Sequence, residues 1–183
     1  KMRHDNPQSD IFKKVEQNLY EKPFGDGIIG SEKTVSSLKR DFVFDYFQKN
    51  YSAGNYVITV VGDADFNKLC NYIEKQFHAH KKALNSVPVK KKNAETVEER
   101  DGIDQAHFVI GMHAPMADDK KKYALAVLDA YLANGMSSKL YLKIREEMGL
   151  AYAIISSANT ERSYSYYSIY VGTKKESIPE VKK

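Results

Sequence analysis

The chain has 183 residues, of which 42% are hydrophobic, which is enough to bury the core of one large domain or of parts of two. The net charge is only +4 and the lysine runs have no interleaved aromatic residues, so solvated surface is favoured over a nucleic-acid interface. The single cysteine, Cys70, excludes an intrachain disulfide and a cysteine-based zinc cluster, and no apolar run approaches the roughly 20 residues of a membrane span.

Apolar spacing predicts three helices in the first half of the chain. Residues 10–20 carry the first apolar stripe. Ser31 is predicted to cap a short helical turn, and a second amphipathic helix is predicted over residues 37–50. Asp65 is predicted to cap a third helix over residues 66–77.

Five segments have the composition of strands. Residues 56–61 are β-branched and aromatic, which predicts a buried strand, whereas residues 95–99 predict a short edge strand. Three longer strands are predicted at residues 105–114, 152–157 and 164–172.

Two helices are predicted between these last strands. The first begins at Asp118-Asp119 and stops at Asn134-Gly135. The second is a short amphipathic helix that ends at Gly149. A further helix is predicted to begin at Ser177-Ile178-Pro179.

This order of elements predicts an α+β fold, with antiparallel sheets covered by helices on one side. The composition shifts to Lys, Asn, Ser and Pro after residue 77, which is typical of a linker. We therefore expect the C-terminal part of a first α+β domain in residues 1–80, a linker in residues 81–97 and the N-terminal part of a second α+β domain in residues 98–183.

The corner between the short helix and the following strand contains the main candidate site. It is predicted to bring the guanidinium of Arg145 near the phenol of Tyr152, a pair that suits a peptide carbonyl or a carboxylate. The helical neighbours of Arg145, including Tyr141, carry no charge, so no local ion-pair partner is built in. The alternative is a surface arginine beside an ordinary strand tyrosine.

Several segments together resemble the pitrilysin/insulinase family of zinc metallopeptidases, the inverted-motif zincins. In the first half of the chain the matching residues are Asp5-Asn6-Pro7, Pro23-Phe24-Gly25, Ile29-Gly30, Asp45-Tyr46-Phe47-Gln48-Lys49-Asn50-Tyr51, Asn55 and Val60-Val61-Gly62-Asp63. In the second half, the more specific one, they are Gly135-Met136-Ser137-Ser138-Lys139-Leu140, Ile144-Arg145-Glu146 and Gly149-Leu150-Ala151-Tyr152. The resemblance implies a processing-peptidase-like metalloprotease fold.

The family uses one zinc ion, held by two histidines and a glutamate, with a second glutamate as general base. The histidines and the base come from H-x-x-E-H, in which histidines four positions apart share one helix face. This motif does not occur in the chain, and its five histidines lack the spacing: His4, His78, His80, His107 and His113. The resemblance therefore implies no catalytic residue and no metal ligand in this chain, with zinc in the intact parent. Either the chain begins after these ligands, which we favour, or its parent is a subunit without them.

What the resemblance carries over is substrate binding. Arg145 and Tyr152 match the arginine and tyrosine with which the family holds the backbone of a bound peptide, and the tyrosine is also expected to stabilise an oxyanion. The implied function is a zinc-dependent metalloendopeptidase, of which this chain supplies the substrate-positioning part and is inactive alone. The implied partners are a peptide or protein substrate and a second half or partner subunit that closes a chamber, with no nucleic acid and no membrane. A cytoplasmic location is favoured. The alternative is a non-catalytic partner or scaffold subunit of the same family.

Overall fold

The computed structural model describes residues 6–77 and 87–183, which form two compact units. The first, here called the sheet unit, contains the described residues up to Ile28 together with Val89–Lys183. The second, here called the helical unit, contains the described residues between Ile29 and Pro88. These boundaries differ from the predicted domain division because the first helix of the chain packs on a strand from its second half. The domain division itself stays a prediction.

A three-stranded antiparallel sheet in the order β1-β3-β2 forms the centre of the sheet unit. The three longer strands predicted from the sequence are confirmed, and their bounds are β1 Ala106–His113, β2 Ala151–Thr160 and β3 Ser165–Thr173. Ile110 lies opposite Ile169 in the register of β1 and β3. Such alignment of apolar side chains on one face fixes the register, because a slip by one residue would turn them to the other face.

Helix α1, Pro7–Leu19, packs on one face of this sheet. Asn6 caps its first turn with a 3.1 Å hydrogen bond to a backbone N–H, as expected of an Asn before a helix. The buried side chains of Val15 and Leu19 meet the sheet at Gly111, where an added Cβ would lie 2.8 Å from Val15 Cγ1. The close approach of α1 therefore depends on a glycine in β1.

The opposite face is covered by α5, Lys121–Leu132, and by a π-helix, Tyr141–Glu147. Tyr167 and Ile169 are two positions apart in β3, so both side chains lie on this face, where they are buried. The Tyr167 hydroxyl also donates a 2.7 Å hydrogen bond to the carboxylate of Asp129 in α5. Helices thus cover both faces of the sheet, and the expectation of one covered side is wrong because α1 adds a layer that sequence order does not reveal.

The helical unit contains three α-helices with the bounds α2 Glu32–Ser36, α3 Arg40–Asn50 and α4 Phe66–Gln76. Ser31 and Thr34 form a reciprocal capping box at the start of α2. Asp65 caps α4 by accepting a 3.0 Å hydrogen bond from the backbone N–H of Lys68. The helices and both caps predicted for this part of the chain are confirmed.

Two predicted strands do not form in the described part of the chain. Residues 56–61 take part in no strand pairing, and Val57 and Val61 are each 94% exposed. Residues 95–99 also form no strand, although the pair between Lys175 and Glu99 (2.8 Å) ties them to the sheet unit. A strand needs a neighbouring strand for its hydrogen bonds, and composition alone does not supply one.

The remaining elements of the chain are short. Two 3₁₀ turns occupy Ala53–Asn55 and Lys175–Ser177, and a short helix α6, Ile178–Val181, follows the second of them. This confirms the helix start predicted near Ser177. Among residues 6–77 and 87–183, no helix combines the length and the apolar character needed to cross a lipid bilayer.

Candidate functional site

The predicted short helix before Gly149 is wound as a π-helix, and Arg145 lies within it. The backbone N–H of Met148 donates to the carbonyl of Lys143 (3.1 Å), a five-residue step that is typical of π winding. Gly149 then adopts a φ of +64°, which glycine tolerates without steric strain, and the chain turns into β2. The predicted helix-to-strand corner is therefore present, and its helix has a geometry that is often found at functional sites.

The guanidinium of Arg145 stacks over the ring of Tyr141, with 4.9 Å between its Cζ atom and the ring centroid. Its nearest carboxylate is that of Glu146, 3.9 Å from Nε, which is too far for a hydrogen bond. Glu147 instead pairs with Lys143 at 2.7 Å. The Arg145 side chain is 42% exposed, so its N–H donors remain available to a ligand.

Tyr152 lies at an irregularity of β2, where the pairing with β3 shifts between Ala151 and Ala153. A bulge of this kind commonly redirects a side chain out of the regular alternation. Tyr152 is 48% exposed, whereas Tyr167 and Tyr170 are almost completely buried. Tyr152 is therefore accessible to a ligand, unlike the core tyrosines Tyr167 and Tyr170.

The core tyrosines of β3 have a different electrostatic setting. Burial raises the pKa of Tyr166 and that of Tyr167, each to about 12. Their phenols therefore stay neutral near neutral pH, and each donates a hydrogen bond to a carboxylate, Tyr166 to Glu16 and Tyr167 to Asp129. They belong to the packing of the sheet unit.

A cleft of about 650 Å³ lies in the sheet unit, and Tyr152 is one of its lining residues. Its walls come from α1, from residues 95–109 and from residues 174–182. Arg100 links two of these walls through a 2.6 Å ion pair with Asp10. Sequence reasoning missed this cleft because it is built by α1, which lies about 90 positions away in the chain.

The structure places Arg145 and Tyr152 on consecutive elements of one corner. The backbone N–H of Leu150 donates to the carbonyl of Ile144 (2.9 Å) and joins the π-helix to the start of β2. Within the described chain, no hydrogen bond connects the two side chains directly, and Arg145 does not line the cleft at Tyr152. Each side chain is separately open to a ligand, and their joint role stays a prediction.

The histidines of the sheet unit take part in its packing. His107 Nδ1 lies 2.8 Å from the Tyr170 hydroxyl, and burial lowers the pKa of His107. His113 Nδ1 lies 3.2 Å from the hydroxyl of buried Tyr20. No three His, Cys, Asp or Glu side chains are grouped for a metal ion among the residues that the structure describes, and His4, His78 and His80 lie outside them. The described side chains therefore do not fit a zinc site.

Comparison with known protein families gives one match that spans most of the chain. Residues 37–183 match the model for the peptidase M16 inactive domain. An uncharacterized zinc protease of Rickettsia felis is 30% identical over 178 residues, which cover 95% of this chain and 43% of that protein. An uncharacterized zinc protease of Bacillus subtilis is 27% identical over 176 residues, which cover 94% of this chain and 43% of that protein. The chain therefore spans less than half the length of these curated relatives.

Solved structures share the fold at low sequence identity. A protease from Helicobacter pylori superposes with a TM-score of 0.78 at 20% identity, covering 98% of this chain and 47% of that one. A peptidase M16 inactive domain from Pseudomonas fluorescens superposes with a TM-score of 0.74 at 18% identity, and the match covers 98% of this chain and 46% of that one. A chain of complex III2 from Candida albicans superposes with a TM-score of 0.80 at 17% identity, and the match covers 96% of this chain and 44% of that one. These likenesses confirm the α+β fold that the sequence predicts.

Proposed function

The chain belongs to the M16 peptidase family, and from this premise we propose that it supplies the substrate-positioning part of a zinc-dependent metalloendopeptidase. The parent would hydrolyse peptide bonds in a peptide or protein substrate. A second half or a partner subunit would close the chamber in which the substrate is cut. Zinc would be held outside the residues described here, so no metal-dependent step is assigned to this chain.

The observation that supports this proposal most directly is the exposed guanidinium of Arg145. An arginine fork can donate two parallel hydrogen bonds to a carbonyl or carboxylate oxygen pair. Glu146 lies beyond hydrogen-bond distance and Glu147 is paired with Lys143, so this capacity is not used within the π-helix. Tyr152, which is 48% exposed, adds a hydroxyl donor on the next element, suited to a carbonyl oxygen on which negative charge develops.

A second function is supported by a specific observation, namely the family model that matches the chain. That model describes an inactive domain. The parent would then be a non-catalytic partner or scaffold subunit. The two functions are separated by measuring the zinc content and the chelator-sensitive peptide cleavage of the full-length protein. Tightly bound zinc together with cleavage that a chelator abolishes supports the enzyme, and the absence of both supports the scaffold subunit.

Arg145→Ala tests the assigned role. We expect kcat/KM for an unstructured peptide to fall about 10-fold to 100-fold, because a hydrogen bond to a charged group contributes roughly 1.5–3 kcal/mol. Arg145→Lys should recover only part of the loss, since ammonium lacks the planar fork. The measurement is steady-state hydrolysis by the full-length protein, with a thermal melt to confirm folding.

Arg162→Ala is the matched control for this test. Arg162 lies in the exposed turn between β2 and β3, so the variant removes the same charge from the same unit. It should leave kcat/KM unchanged. Equal turnover of the Arg145→Ala variant and the wild type would remove the proposed substrate role.

A further inference from the structure

The ring of Tyr141 lies beneath the guanidinium of Arg145, and Tyr141 does not belong to the buried core. The two residues are four positions apart in the π-helix, and the guanidinium sits 4.9 Å above the ring centroid. Tyr141 is only partly buried, and its hydroxyl makes no hydrogen bond with another described residue. The ring face, not the hydroxyl, is therefore the part of Tyr141 that Arg145 uses.

We propose that Tyr141 is a positioning residue that holds the Arg145 guanidinium ready for the peptide backbone. The proposal rests on the proposed function of Arg145, and it adds a residue to which neither the sequence motifs nor the comparisons give a role. Tyr141 would not touch the substrate. It would act by limiting where the guanidinium can be.

The physical basis is the shape of the stacked pair. A free arginine side chain loses rotamer entropy when a ligand fixes it. Contact with the ring restricts the guanidinium before the ligand arrives. Less ordering remains to be done when the peptide binds.

The charges around the pair favour the same arrangement. Glu146 approaches Arg145 at Nε, at 3.9 Å, which leaves the two terminal nitrogens to a ligand. Glu147 lies on the same helix but is paired with Lys143 at 2.7 Å. The carboxylates of this segment therefore do not draw the guanidinium away from the ring.

An internal comparison shows that stacking alone does not make such a site. In α3, Arg40 lies 5.4 Å above the ring of Phe44, again four positions apart. There the Arg40 Nη1 donates a 3.2 Å hydrogen bond to Asp41, so a terminal nitrogen is already engaged. The Arg40 and Phe44 pair is therefore a control with the same sequence spacing and a terminal nitrogen that is already engaged.

The test uses the full-length protein and a fluorescently labelled, unstructured peptide. Tyr141→Met keeps a long apolar side chain but removes the ring face, whereas Tyr141→Phe keeps the ring and removes the hydroxyl. We expect Tyr141→Met to raise the Kd and the KM about 2-fold to 5-fold, the range of a cation–π contact, with little change in kcat. Tyr141→Phe and Phe44→Met should match the wild type. Thermal melts check the folding of every variant. If Tyr141→Met folds poorly, Tyr141→Leu replaces it as the variant without a ring, and the same increase in Kd and KM is expected.

A double-mutant cycle separates positioning from general destabilisation. If Tyr141 acts through Arg145, then Tyr141→Met should have no further effect on the Kd in an Arg145→Ala background. Additive effects would overturn the proposal, and so would a Tyr141→Phe variant as weak as Tyr141→Met. If Arg145→Ala weakens binding while both ringless variants bind normally, only this proposal fails. If Arg145→Ala itself binds normally, the proposed function of Arg145 fails and this proposal fails with it.

Discussion

The sheet unit and the helical unit use similar residues in opposite ways. In the sheet unit, the aromatic and β-branched residues of β3 are covered on both faces, and Tyr167 is 1% exposed. In the helical unit, large apolar side chains such as Phe42 and Val61 face solvent. The sequence of β3 has a strong apolar pattern, and so have the sequences of α3 and of residues 56–61 in the helical unit. The difference is that β3 has a strand on each side, whereas residues 56–61 have none in the described chain.

This comparison shows that apolar character becomes burial only where another element supplies the second surface. An apolar surface that stays exposed over several elements is typical of an interface with another protein segment. The exposed residues of the helical unit therefore support the proposed second half or partner subunit. The following variants test whether the two units differ as strongly in energy as they do in exposure.

The largest effect is expected for Tyr167→Ala in the core of the sheet unit. The substitution removes a buried ring and its 2.7 Å hydrogen bond to Asp129. We expect the free energy of unfolding to fall by about 3–5 kcal/mol, the range for removing a large aromatic residue from a core. The measurement is chemical denaturation followed by circular dichroism.

Phe42→Ala in α3 is the control for this variant. The Phe42 side chain is exposed, so its loss should change the free energy of unfolding by less than about 1 kcal/mol. Similar losses for Tyr167→Ala and Phe42→Ala would mean that the helical unit is as well packed as the sheet unit. The contrast between the units would then be wrong.

A smaller loss is expected for Tyr20→Phe. The Tyr20 hydroxyl donates to the backbone carbonyl of Ser165 (2.6 Å) and accepts from its N–H (3.1 Å), and burial raises the pKa of Tyr20. Removing the oxygen takes the acceptor from the Ser165 N–H, while the Ser165 carbonyl keeps its hydrogen bond from the Ala114 N–H (3.0 Å), so the expected cost is about 1–3 kcal/mol. Chemical denaturation should show this loss. Tyr72→Phe in α4, where the tyrosine is exposed, should show none, and equal losses would contradict the assignment.

The Tyr20 contact also shows where sequence reasoning stops. Periodicity predicted α1 and β3 separately, because each has a local apolar pattern. Their contact joins residues 145 positions apart, and no local pattern reports it. The same limit explains the predicted strand at residues 56–61, which was wrong because its partner is not encoded in its own residues. Capping at Ser31 and Asp65 was predictable, because cap and helix lie within three residues of each other.

The candidate site was predictable to a similar extent. The corner at Gly149 and the exposure of Arg145 follow from a local sequence. The sequence pattern identifies Tyr141 only as an uncharged neighbour of Arg145, although the spacing of four positions on a helix is compatible with the observed contact between the two side chains. The π winding and the cleft at Tyr152 depend on tertiary packing, so the sequence alone did not indicate them.

The smallest effect is expected for Val61→Ser in the helical unit, compared with the same substitution at Val171 in β3. Val61 is 94% exposed, so the free energy of unfolding should change by less than about 0.5 kcal/mol. Val171 is 3% exposed, and a serine there should cost more than about 2 kcal/mol, because it leaves a void and buries a hydroxyl. Chemical denaturation of both variants measures the difference. A loss above about 1 kcal/mol at Val61 would exceed what an exposed surface position gives. Such a loss would show that its side chain is covered in the folded protein, which would remove the argument that the helical unit presents its apolar surface to a partner.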